Sequence, residues 1–328
     1  MTPHDVVQRE GASRLLRFRT AAGGPRVRSS RAPIVLVPSL LQRWSVLDLA
    51  PGASVAASLV QRGFDVFCVD GGVLDTERHL DLDSFLARLR RFRREVGRIT
   101  GHDRVALLGY SQGGTLATID AALHPHEVAA LVAIATPIDF ARGGLFAALT
   151  DRRLLSVDAL ADAGGVPPGL FRGLIAALHP GATVAGAWSA LADPDPRARA
   201  IWQALEAWAD DPVALPPELL RAWLGRCYQD NALVRGVLQV RRRPVALGAI
   251  TAPVLAVVPQ RDTICPPEAA RALLDAVSSG TRTLLEVPGG HVSGVAGPGA
   301  EAALYPRLGA WLEAALSAPT SAASQSLR

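Results

Sequence analysis

The strongest constraint on the fold is a rhythm: short runs that are apolar almost throughout, separated by segments of helical periodicity. The stretches PIVLVPS (33–39), DVFCVD (65–70), RVALLGYS (104–111) and VAALVAIATP (128–137) read as strands. Between them, SVAASLVQRG (54–63) reads as a helix stopped by Gly63, LDSFLARLRRFRREVGRI (82–99) as a helix with Asp81 or Asp83 near its start, and QGGTLATIDAALHP (112–125) as a third. A strand with no polar side has no face to give to water. The pattern therefore predicts an α/β chain whose mostly parallel sheet is covered by helices on both faces.

The rhythm breaks near residue 141 and returns near 245. The intervening segment shows helical patterns such as RARAIWQALEAWADD (197–211) and holds four of the six tryptophans: Trp188, Trp202, Trp208 and Trp223. These indoles are expected to pack as core rather than face a ligand. Alternation resumes with APVLAVVP (252–259), PEAARALLDAVSS (267–279), RTLLEVP (282–288) and GAEAALYPRLGAWLEAAL (299–316). The expected organisation is an Arg-rich, irregular N-terminal segment (1–30), an α/β core (31–140 and 245–317), an inserted helical cap (141–244) and a small, polar, fraying tail (318–328).

Composition excludes several classes. Nearly half of the residues are apolar and a fifth are charged, as expected of a globular chain with a sizeable core. The formal charge is +4 with a pI of about 9.5, and every Lys-or-Arg position is Arg. Nucleic-acid binders concentrate basic residues in a stripe with groove-reading or aromatic elements. The densest cluster here, RLRRFRREVGR (88–98), instead fits the solvated face of an amphipathic helix with Leu89, Phe92 and Val96 turned inward. Docking of an anionic acyl carrier is the other use of such a cluster. Cys68, Cys227 and Cys265 are odd in number and far apart, which argues against a disulfide framework or a zinc site and fits a cytoplasmic setting. The N-terminus lacks the apolar centre of a signal peptide, and no apolar run reaches the roughly 18 residues of a membrane span. No glycine-rich nucleotide motif is present, so neither cofactor nor metal is expected.

The chemistry gathers around LLGYSQGGTLA (107–117). Gly109-Tyr110-Ser111-Gln112-Gly113 is a G-x-S-x-G stretch with a strand before it and a helix after it. Such a turn is tight enough to demand glycine on both sides and to hold its serine in a strained conformation, with Oγ above the carboxyl ends of the strands. It also leaves the Gln112 N–H at a helix N-terminus, aimed at an oxyanion formed beside Ser111. A serine hydroxyl needs a base. His291 follows the last predicted strand in the glycine-rich loop VPGGHVSG. His124 and His126 sit at a helix end where a cation complements the dipole, and His4, His79, His102 and His179 lie in segments without a catalytic signature. Asp262, just after the strand at 252–259, falls between serine and histidine in chain order, as the acid does in α/β-hydrolases. It is expected to orient the imidazole. A second oxyanion donor is expected in VPSLLQRW, at the backbone N–H of Leu40, with Ser39 and Leu41 as neighbouring alternatives.

From about residue 30 to 300 the chain resembles the catalytic subunit of polyhydroxyalkanoate synthases, most of all the short class III type. PIVLVPSLLQRWSVLDLAPGASVAASLVQRGFDVFCVDGG is similar to the family's first strand, its Leu-Asp-Leu-x-Pro stretch and its second strand. LLGYSQGGTLA is similar to its nucleophile elbow, including Gln-Gly-Gly. ATPIDFARGGL and AWADDPVALPPELLRAWLGRCYQDNALVRG are similar to the opening and end of its cap. ITAPVLAVVPQRDTICPP and PGGHVSGV are similar to its acid and histidine loops. The chain departs at Ser111, where the family carries cysteine, at Gln42, where Asn is common, and at Gly71, where Trp is common. None of the three cysteines stands in for the missing one.

The resemblance implies an α/β-hydrolase fold with a helical cap over an apolar acyl pocket. It implies hydroxyacyl esters or acyl-CoA as substrate, and it admits a polyester granule or accessory synthase subunit as partner, a homodimer and a granule-associated location. A thiolate forms and leaves readily at neutral pH, so it can pass an acyl chain on and off repeatedly. A serine ester waits for an acceptor, which favours hydrolysis or single transfers over fast chain growth. The leading expectation is a serine acyl hydrolase or acyltransferase working through Ser111, His291 and Asp262. The alternatives are a poly(3-hydroxyalkanoate) polymerase using hydroxyacyl-CoA and an inactive relative that binds granules or a partner.

Overall fold

The computed structural model describes residues 1–20, 30–74, 77–167 and 195–317, together with the single positions 169, 173 and 192. Trp188, His179 and the expected tail at 318–328 lie outside the described residues.

Eight strands form one sheet: β1 (His4–Glu10), β2 (Ser13–Phe18), β3 (Ile34–Val37), β4 (Val66–Asp70), β5 (Val105–Tyr110), β6 (Val128–Ile134), β7 (Val254–Pro259) and β8 (Arg282–Val287). Their spatial order is β1-β2-β4-β3-β5-β6-β7-β8. The six strands β3 to β8 run parallel, and β1 and β2 add an antiparallel edge. The principal helices are α1 (Val55–Gln61), α2 (Leu82–Thr100), α3 (Gln112–Leu123), α4 (Pro196–Ala209), α5 (Pro267–Ala276) and α6 (Tyr305–Ser317).

The apolar strands are buried on both faces because alternate side chains serve different layers. Val35, Val37, Phe67, Val69, Leu107 and Leu131 join a core with α2, α3 and α5. Ile34, Leu36, Val66, Cys68, Ala106 and Leu108 join a second core with α1 and α6. Residues between 141 and 244 contribute to both: Leu219, Leu220 and Trp223 to the first, Ile201 and Leu205 to the second.

Register places the site. β3 pairs with β5 from Ile34↔Ala106 to Val37↔Gly109, and β5 with β6 through Gly109↔Ala133. The carboxyl ends of these strands therefore lie level. From β3 the chain crosses through α1 to β4 on one side, then through α2 to β5 on the other. The order reverses between β3 and β5, so their carboxyl ends open a crevice, the place where ligands bind in such sheets.

Two sequence expectations need correction. The N-terminal residues are not irregular: β1 and β2 form a hairpin turning at Gly11 (φ 56°). An edge hairpin buries only part of its surface, so Leu15 and Leu16 sit between arginines and give no continuous apolar run. Those arginines fasten it, with Arg14 on Asp70 and Arg17 on Asp65. The arginine face of α2 is also not wholly solvated. Leu89, Phe92 and Val96 are buried as expected, but so are Arg88 and Arg93. Arg88 pairs with Glu77, and Arg93 with Asp120 and Glu127. Buried guanidinium groups persist because carboxylates from other elements meet them.

Candidate active site

Ser111 occupies the step from β5 to α3, with φ 55° and ψ −127°. A non-glycine residue rarely adopts this conformation, and it is held here by what packs around it. A Cβ on Gly109 would stand 2.3 Å from Gly114 Cα, one on Gly113 would stand 2.0 Å from the Val37 carbonyl oxygen, and one on Gly114 would stand 1.8 Å from Thr136 Oγ1. The run Gly-x-Ser-x-Gly-Gly thus lets the start of α3 press directly on β5, on the end of β3 and on the loop after β6. The Ser111 carbonyl accepts the N–H groups of Gly114 and Thr115, closing the first turn of the helix.

The three side chains expected to act together do meet. His291 Nε2 lies 2.9 Å from Ser111 Oγ, and His291 Nδ1 lies 2.7 Å from Asp262 Oδ2. The other oxygen of Asp262 accepts the N–H groups of Ile264 at 3.0 Å and Cys265 at 2.8 Å. A carboxylate only accepts, so the imidazole proton resides on Nδ1 and leaves Nε2 as the acceptor facing the serine hydroxyl. Asp262 is closed off from solvent and His291 is one-tenth exposed at its side chain. His291 is reached from β8 through Pro288-Gly289-Gly290, with Gly289 at φ 102°. Ser293 Oγ accepts the Gly290 N–H at 3.0 Å and fixes the loop.

Tyr110 carries no catalytic signature of its own in the sequence. Its hydroxyl donates to the His291 carbonyl at 3.3 Å, and its ring lies 5.4 Å from the imidazole. The only cue was its place beside the serine in the elbow. Of the other histidines, His124 pairs with Asp120 at the end of α3, and His4 packs against Phe18 and Trp44.

The loop after β3 is held from several directions. The Leu40 N–H donates to Gln112 Oε1 at 3.1 Å, and the Leu41 N–H to Ser39 Oγ at 3.2 Å. Gly71 makes room for the Leu40 side chain: a Cβ there would stand 2.9 Å from Leu40 Cδ2. Segment 208–213 grips the far end of the loop. The Val213 N–H donates to the Leu41 carbonyl at 2.9 Å, Trp208 Nε1 donates to the Arg43 carbonyl at 2.8 Å, and Arg43 pairs with Asp211 at 2.7 Å.

The cysteines are buried thiols. Burial pushes Cys265 well above the ordinary thiol value and the nearby Asp262 charge pushes it further; burial and nearby Asp70 do the same to Cys68, and Cys227 is raised to about 12. A thiolate nucleophile at neutral pH is disfavoured at all three. Among the described residues no group of His, Cys, Asp and Glu is arranged to hold a metal ion.

The profile of the alpha/beta hydrolase fold family matches residues 32–298. The poly(3-hydroxyalkanoate) polymerase subunit PhaC of Allochromatium vinosum is 30% identical over 321 residues, covering 95% of this chain and 88% of the relative. The chain belongs to the PhaC family of α/β-hydrolases. The subunit of the same name from Haloferax mediterranei is 30% identical over 318 residues, and this PhaC-family chain spans 63% of its length. A thermophilic esterase from Thermogutta terrifontis shares the fold, with a TM-score of 0.56 at 18% identity, covering 97% of this chain and all of the esterase. This PhaC-family protein is an enzyme of the acyl-transfer and acyl-hydrolysis class, acting on ester or thioester bonds. No helix among its described residues is long and apolar enough to cross a membrane.

Proposed function

We propose that the protein is a serine acyl hydrolase or acyltransferase acting on hydroxyacyl esters or thioesters. The observation that carries this reading is the continuous chain from Ser111 Oγ through His291 to Asp262, at 2.9 and 2.7 Å. Ser111 Oγ attacks the acyl carbonyl while His291 Nε2 takes its proton. Negative charge develops on the carbonyl oxygen beside the Gln112 N–H, at the positive end of α3. Asp262 stabilises the imidazolium and keeps its orientation. The carbon–sulfur or carbon–oxygen bond then breaks, the imidazolium proton passes to the leaving thiol or alcohol, and an acyl-serine remains. Water or another alcohol, deprotonated by His291, releases the acyl group by the reverse steps. Segment 141–244 serves as the cap over the acyl group, and its hold on the loop after β3 supports that role.

The second reading, polymer synthesis from hydroxyacyl-CoA, is favoured by the names of the relatives. The oxyester at Ser111 argues for slow chain growth, because an alkoxide leaves far less readily than a thiolate. One experiment separates the readings: incubation with 3-hydroxybutyryl-CoA, a polyester oligomer and a p-nitrophenyl ester, following thiol release and product size. Free hydroxyacid or single-transfer products are expected. High-molecular-weight polyester accompanying thiol release would establish the second reading, and absence of turnover on all three would overturn both.

A further inference from the structure

The N–H of Leu40 is the expected partner of the Gln112 N–H in stabilising an oxyanion, yet at rest it already has an acceptor. That acceptor is the side-chain oxygen of Gln112 itself, at 3.1 Å, with both residues buried. The next N–H along the loop, that of Leu41, is occupied by Ser39 Oγ. The loop cannot simply slide to present a different donor. It is tied to segment 208–213 at Leu41 and Arg43, and Leu40's side chain is lodged against Gly71.

Building on the assignment of Ser111 as nucleophile, we propose that the Gln112 side chain is a positioning residue that latches the second oxyanion donor. Its Oε1 holds the place of the substrate oxyanion in the resting enzyme and is displaced when the tetrahedral species forms. The latch has two effects. It keeps a buried N–H paired between turnovers, while the ties at Leu41 and Arg43 hold the loop itself in place. It also makes acylation conditional: only an acyl carbonyl that becomes a stronger acceptor than a neutral amide opens the latch. A developing oxyanion meets that condition, since hydrogen bonds to charged acceptors are the stronger ones. A weakly bound water does not.

The test is the rate at which a fluorophosphonate reacts with Ser111, because the phosphonyl oxygen stands in for the oxyanion. Gln112→Met keeps the backbone N–H and nearly the volume of the side chain but removes the acceptor. It is expected to react about threefold to tenfold faster than the wild type, the factor that one neutral hydrogen bond represents. Gln112→Glu keeps an acceptor and adds a charge, and is expected to react more slowly. The pH profile of the reaction should be unchanged in Gln112→Met, since His291 is untouched. A folded Gln112→Met protein that reacts at the wild-type rate or slower overturns the latch. A structure of the wild-type phosphonyl adduct tests the same point without substitution. The phosphonyl oxygen should accept from Leu40 N–H with the Gln112 amide swung away, and an intact Gln112–Leu40 bond in the adduct would refute it. Failure of the nucleophile assignment looks different, because the wild type would then not react at all.

Discussion

Replacing His291 by Ala takes away the group placed to accept the Ser111 proton, while the elbow itself stays as it is. Turnover of a p-nitrophenyl ester is expected to fall by roughly 10³-fold or more, with KM little changed, because the loss is felt in the transition state. Asp262→Asn is expected to be nearly as damaging, since an amide facing Nδ1 favours the tautomer that puts a proton on Nε2, toward the serine. Steady-state kinetics on both variants check this, and a variant retaining a tenth of wild-type kcat would contradict the roles assigned. These three side chains were legible in the sequence because each follows an apolar strand, in a loop whose glycines or prolines mark a turn. The Tyr110 contact to the His291 carbonyl and the Gln112 contact to Leu40 were not legible. Both depend on side-chain directions across elements far apart in sequence, which no local pattern encodes.

The elbow keeps its geometry only because α3 starts hard against the end of β3. A methyl group on Gly113 has nowhere to go between the carbonyl oxygens of Val37 and Pro38, at 2.0 and 2.3 Å from the ideal Cβ position. Gly113→Ala is therefore expected to lose about 1–3 kcal/mol of stability and to lower activity further by pushing the loop after β3 away from Ser111. Urea unfolding and ester turnover measure the two effects, and a neutral substitution would contradict the packing described. The same loop is tied to α4 by the Trp208 indole N–H. Trp208→Phe keeps most of the packing and removes that bond to the Arg43 carbonyl. A loss of about 0.5–1.5 kcal/mol is expected, with a fall in kcat for large acyl groups, read by thermal unfolding and by kinetics across an acyl series. At this scale the parallel strands and their helices were readable from their apolar continuity and 3.6-residue period. The N-terminal hairpin was not, because an edge element with arginine on its exposed positions carries no such signature.

Taken as one body, the molecule keeps its candidate active site and its charged underside apart. The site lies at the carboxyl ends of the strands. At the opposite end, Arg93 of α2 meets Asp120 of α3 and Glu127 before β6. Burial alone would raise the Glu127 carboxyl, but Arg90 and Arg93 outweigh it and bring it down to about 2. Its folded value is below the unfolded one, so its contribution is whole above about pH 4.5 and fades as the pH falls toward 2. Glu127→Gln is expected to be less stable at neutral pH, with a shallower loss of Tm between pH 4.5 and 2 than the wild type. Parallel Tm curves would contradict this. A helix carrying RLRRFRREVGR looked like a solvated face because a sequence shows which residues are charged, and only the fold shows which carboxylates await them.

Intact-mass spectrometry after treatment with a fluorophosphonate tests the central claim most directly. The wild type is expected to gain one adduct, located at Ser111 by peptide mapping. The adduct should be absent in Ser111→Ala and form at least about 10²-fold more slowly in His291→Ala. A folded wild-type protein that never gains the adduct, or one labelled equally fast without the imidazole, would contradict the account.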